Sequence, residues 1–175
     1  MPQLPVIEYP DPRLSTPCAP VSDFNPGVHE LAGNLLDTLY ATTGIALSAP
    51  QVGDLRQVLV MDLSADHSAP QVYINPTVLA RRRPGLVEES CLSVPGIVGN
   101  VVRYTRVRVR ASDVHGEIFE RDLEGMYAVA LQHEMDHLAG KLFLARLSWF
   151  RRLRLRLSRS ASIRDAKSPS DTAVG

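Results

Sequence analysis

The chain has 175 residues, of which 45% are hydrophobic and 22% charged, which fits one globular domain whose core needs no staples. Two cysteines, Cys18 and Cys91, exclude a disulfide scaffold, no apolar run is long enough for a membrane helix, and the start lacks the basic-then-apolar order of a secretory signal, so a cytoplasmic protein is expected. The formal net charge of +0 hides eight Lys or Arg and no acid between Lys141 and Arg164, a local patch able to attract an anionic partner whatever the total.

Residues 1–25 read as an extended, proline-punctuated arm. Asn25-Pro26 reads as an N-cap with proline at the first helical position. Val28, Leu31, Leu35 and Leu39 follow at helical spacing, which predicts a helix over 26–42. Residues 44–53 read as a loop of small residues. Gln57 to Leu63 and Gln71 to Ile74 read as strands, the second closed by Asn75-Pro76; His67 between them reads as a surface histidine. Residues 97–123 read as an antiparallel meander, because apolar and basic residues alternate around Val107 and Val109. Asp113 to Gly116 is its turn, with His115 a turn residue, and Glu117 to Leu123 the return strand. Gly125 then opens a helix to residue 139, with Gly140 as its C′ residue. A last helix is expected over 148–159, with Phe150, Leu153 and Leu157 on one stripe among arginines. A disordered tail is expected over 160–175.

His133-Glu134-Met135-Asp136-His137 is an H-E-x-x-H pattern on the predicted second helix. Residues four apart share a helix face, so both imidazoles can reach one cation. Glu134, offset around the helix, can move a proton between water and a leaving group. On any helix the pattern also arises as two unrelated histidines, but the apolar flanks would bury this face, and buried His and Glu without partners are costly. The third ligand decides the class. No histidine follows His137 and no glutamate follows Glu134, which disfavours a conventional metalloprotease. Upstream stands Cys91, whose thiolate would complete Cys-His-His with a fourth position for water. A lone cysteine is ordinarily a small buried hydrophobe, and Cys18 is read so.

Three segments, GIALSAPQ (44–51), ESCLS (89–93) and QHEMDHLAG (132–140), resemble in order the three motifs of the peptide deformylases, bacterial type; IEYPDPRL (7–14) resembles the family's N-terminus. The resemblance covers about residues 6–150 and is far more specific than H-E-x-x-H alone. It implies an α+β fold, with antiparallel sheets around a central metal-binding helix, and a catalytic domain over 1–147. It implies removal of the formyl group from the N-terminal methionine of nascent chains, with Fe(II) expected in the cell and Zn, Ni or Co able to occupy the site. It implies Cys91, His133 and His137 as metal ligands and Glu134 as general base and acid. The Gln51 amide and the Leu92 backbone N–H would hold the oxyanion. Gly44, Ile45, Ala46, Val87, Met126, Val129 and Ala130 would line the substrate cleft. The arginines over 148–159 resemble the family's basic helix that docks on the ribosome. No membrane or DNA partner is expected.

Three positions depart from the family pattern. Ala46 and Ser90 stand at usual glycines, where an added Cβ narrows the cleft, and Ser48 stands at a usual alanine, where its hydroxyl either supports or competes with the Gln51 amide. Two other readings therefore stay open: an enzyme for another small N-acyl substrate, and a ribosome-associated relative whose metal is structural.

Overall fold

The computed structural model describes residues 3–147; the helix expected over 148–159 and the tail over 160–175 lie outside them. The elements run α1 (Pro26–Tyr40), β1 (Ala46–Ser48), β2 (Val58–Met61), β3 (Gln71–Cys91), β4 (Val94–Ser112), β5 (Ile118–Glu124) and α2 (Met126–Leu138). The five strands form one antiparallel sheet in the order β1-β2-β3-β4-β5, so each pairs with its neighbour in sequence. None of the described helices is long and apolar enough to cross a membrane.

Asn25 caps α1 as expected, accepting from the Gly27 N–H at 3.0 Å, and Pro26 fills the first position. The stripe of Leu31, Leu35 and Leu39 packs against Val58, Val60 and Ile74. On the other face of the sheet Leu59, Met61 and Tyr73 pack with Ala128, Leu131 and Leu138 of α2. β2 is buried at every position because its alternating side chains meet a helix on each side. The same alternation runs through β1. Leu47 joins the α1 side, while Ala46 packs on the α2 side and Ser48 reaches Glu134 of α2.

Two expectations are corrected. Residues 44–53 are not all loop: β1 pairs with β2, Ala46 opposite Met61, and a 3-10 turn follows over Ala49–Val52. All three β1 residues are buried, so no polar–apolar alternation marked the strand. β3 does not stop at Asn75-Pro76. Asn75 takes a positive φ of 52°, and Pro76 falls inside the register shift between Ile74 and Thr77, where a missing N–H costs no ladder bond. The Asn75 amide instead binds the Val21 N–H and C=O, each at 2.8 Å. This fastens the arm, whose Ile7, Tyr9, Cys18 and Ala19 N–H groups also donate to the body.

The expected meander, its Asp113–Gly116 turn and the second helix are present. Gly140 ends α2 with φ 68°; a Cβ there would lie 2.9 Å from the Ser15 and Pro17 backbone, so only glycine lets the arm pass.

Candidate active site

Cys91 is the last residue of β3 and pairs with Val94, the first of β4. Only Leu92 and Ser93 lie between, so the thiol sits at the tip of the molecule's longest hairpin. α2 brings His133 and His137 to this tip, their ring centroids 5.0 Å apart. The Cys91 Sγ lies 3.2 Å from His137 Nε2. One ligand atom from each of Cys91, His133 and His137 lies within 4.8 Å of the others, the cluster of this kind found among the described residues. A thiol and two imidazoles so close, with no fourth donor joining the cluster among the described residues, fit a divalent transition cation with one coordination position left open.

The site rests on a buried ionic network that no local sequence motif announces. The His133 Nδ1–H donates to Glu89 Oε2 at 2.9 Å, which orients the ring and leaves Nε2 for a cation. Glu89 is held in turn by Arg103, at 2.6 and 3.0 Å. Arg103, 1% exposed, also donates to Asp136 at 2.6 Å, and Arg146 closes the far side of Asp136. Burial pushes the Glu89 pKa up, but hydrogen bonds from His133 and Arg103 outweigh it and hold it at about 2. Burial disfavours the His133 cation too, yet the Cys91 and Glu89 contacts raise its pKa to about 10. Burial, then the neighbouring His133, drives that of His137 down to about 3. A parity signal marks Arg103 in the sequence. Val101, Arg103, Val107 and Val109 share the buried face of β4, whereas Arg108 and Arg110 are exposed.

Glu134 is 4% exposed, and burial raises its affinity for a proton. Its Oε2 lies 2.7 Å from Ser48 Oγ. Gln51 is equally buried. Its Oε1 accepts from the Ser48 N–H at 2.9 Å, which turns Nε2 toward Cys91 Sγ at 3.8 Å and Ser93 Oγ at 3.3 Å. Ser48 therefore meets the carbonyl end of the Gln51 amide and does not compete with its donor end.

A cleft of about 370 Å³ opens onto these groups. Gly44, Ile45 and Ala46 form one wall, Ser90, Cys91 and Leu92 another, and Met126, Val129, Ala130, His133 and Glu134 of α2 the third. Ile45 and Met126 stay exposed at its mouth, 38% and 57% respectively, as side chains awaiting an apolar ligand would. The structure does not place Val87 in this lining: it packs behind Cys91 with Leu14, Val101 and Phe143. Neither Ala46 nor Ser90 adopts a positive φ, so the backbone accepts these side chains without strain. Cys18 is buried in an apolar cluster and does not line the cleft, and burial pushes its pKa up to about 11, the state of an inert thiol. His67 stacks on Tyr40 and His115 meets His29 edge-on, neither near the cation site.

Residues 3–152 match the family model described as polypeptide deformylase. The chain is 42% identical over 157 residues to the peptide deformylase of Hahella chejuensis, covering 89% of this chain and 94% of that one. It is 45% identical over 154 residues to that of Azotobacter vinelandii, covering 87% and 92%. Among solved structures, a peptide deformylase from Legionella pneumophila superposes with a TM-score of 0.86 at 36% identity, over 96% of this chain and 100% of that chain.

Proposed function

The chain belongs to the polypeptide deformylase family, and we propose that Cys91, His133 and His137 hold the divalent cation on which its hydrolysis of N-formyl groups depends. The reaction frees formate from the N-terminal methionine of newly made polypeptides. We assign Fe(II) as the cellular ion; Zn, Ni or Co suit the same donors, so availability decides as much as affinity. Such a cation supplies Lewis acidity, polarising the formyl carbonyl and making water acidic near neutral pH.

The protein's own groups supply the rest. Glu134 takes the proton of the attacking water and returns it to the departing amine; its burial suits a group that must hold a proton between two steps. The Gln51 Nε2–H and the Leu92 N–H, one residue from Cys91, hold the oxygen as it becomes negative. Losing one such donor costs about 3 kcal/mol of barrier. The methionine side chain lies against Ile45, Met126, Val129 and Ala130, an apolar surface suited to a thioether. Gly44 and Ala46 edge the peptide's path. A formyl carbon bears only hydrogen, so a cleft narrowed by the Ala46 and Ser90 side chains still admits it. We also assign the chain to the cytoplasm, with ribosome contact through the Arg-rich segment 148–159.

The convergence of Cys91, His133, His137, Glu134 and Gln51 on one cleft carries this reading. Its test is formate release from formyl-Met-Ala-Ser by protein loaded in turn with Fe(II), Ni(II) and Zn(II). Glu134→Ala is expected to cut kcat by about 10²- to 10⁴-fold with the metal still bound. Unchanged release would remove Glu134 from its role.

A further inference from the structure

We propose that Ser48 is a positioning residue that links the carboxyl of Glu134 to the amide of Gln51 through one shared hydroxyl proton. The inference rests on the roles given above to those two groups. The Ser48 side chain is fully buried. Its Oγ lies 2.7 Å from Glu134 Oε2 and 2.9 Å from Gln51 Oε1, while its backbone N–H donates to the same Oε1.

A hydroxyl has one proton to give and two lone pairs, so it cannot donate to both oxygens at once. Two arrangements satisfy the geometry. With Glu134 as a carboxylate, Ser48 donates to it, and Gln51 Oε1 keeps only the backbone N–H. Once Glu134 carries the proton taken from water, it donates to Ser48 Oγ, and the Ser48 hydroxyl turns to Gln51 Oε1. Nothing is gained or lost in that turn: one proton has moved from water to Glu134, and the Ser48 proton has only rotated. The second arrangement puts two donors on Gln51 Oε1. A hydrogen-bonded chain polarises along its length, so the Nε2–H becomes a stronger donor while the adjacent oxygen is negative. Position 48 reaches both partners because the alternation of β1 turns it, with Ala46, toward α2. The alanine usual in the family at this place would keep the backbone bond to Gln51 and lose the link to Glu134.

Ser48→Ala tests it, and that alanine makes the variant one expected to fold. Its kcat on formyl-Met-Ala-Ser should fall by about three- to ten-fold, the worth of one hydrogen bond, with KM and bound metal unchanged. A second readout needs no turnover. In the Zn-loaded protein, Glu134→Gln places an amide N–H where the protonated acid would donate. The Gln51 side-chain amide resonances should shift in response when residue 48 is serine and stay put when it is alanine. An unchanged kcat in Ser48→Ala, or a Gln51 response that persists without the hydroxyl, overturns the link. Failure of the underlying reading looks different, as formate release that survives Glu134→Ala.

Discussion

At the scale of single residues, burial and partners decide what a side chain is worth. Asp62, 5% exposed, accepts from Tyr40 Oη at 2.9 Å, from the Ser64 N–H at 2.9 Å and from the Ser64 hydroxyl. Burial pushes its pKa up, but the Ser64 and Tyr40 donors outweigh it and hold the group below the ordinary 3.8. A carboxyl with a depressed folded pKa stabilises the fold above its unfolded value, and the contribution fades as pH falls through the folded value. Asp62→Asn should therefore lower stability at pH 7 by about 1 kcal/mol, with the gap closing as pH drops below 3.8. Urea unfolding across that pH range checks the sign; a gap that stays constant refutes it. The two cysteines make the same point. Cys18 is walled in by apolar neighbours, whereas Cys91, at a hairpin tip beside two imidazoles, meets the cleft.

At the scale of elements, Arg103 is the residue that joins β4, β3 and α2 electrostatically. Arg103→Met would leave Glu89 and Asp136 buried without their shared cation. Breaking such a pair costs about 3–5 kcal/mol, read as a drop in Tm by calorimetry; a change under about 1 kcal/mol would show the network to be dispensable. Elements with strong local signals were legible from sequence. The Asn25 cap, the α1 stripe, the Asp113–Gly116 turn and the four-residue spacing of His133 and His137 each act over a few residues. β1 was hidden because helices bury both its faces, erasing the alternation by which a strand is read. β3 was cut short because Asn75-Pro76 ordinarily ends a strand, and here a bulge absorbs it. His133, His137 and Glu134 stand out by the H-E-x-x-H spacing, and Cys91 as their partner by the resemblance to the family's motifs. Their support does not, because Glu89, Arg103 and Asp136 meet only after the hairpin and helix have packed. Ser48 stands out in the sequence as a departure from the family pattern, but its two partners depend on a strand parity that no local pattern displays.

At the scale of the whole molecule, a net charge of +0 is built from separated parts. On the outer sheet face Arg106, Arg108 and Arg110 are met by Glu124 and Glu120, so each of these arginines has an acid beside it. The arginines from Arg151 to Arg159 have no acid near them in sequence. The full chain should therefore co-sediment with ribosomes at low salt and dissociate steeply as salt rises, and a chain ending at Trp149 should not co-sediment. Equal sedimentation of the two would refute the contact. The order of the sheet has its own consequence. Each strand pairs with the one made just before it, so the sheet can assemble in step with synthesis, without waiting for distant partners. The proposed cation site cannot: Cys91 and His133 stand 42 residues apart, and these candidate ligands meet only when α2 docks on a finished sheet. On the proposed ligand set, cation capture waits for α2, so a bound metal would mark a copy whose α2 has reached its place.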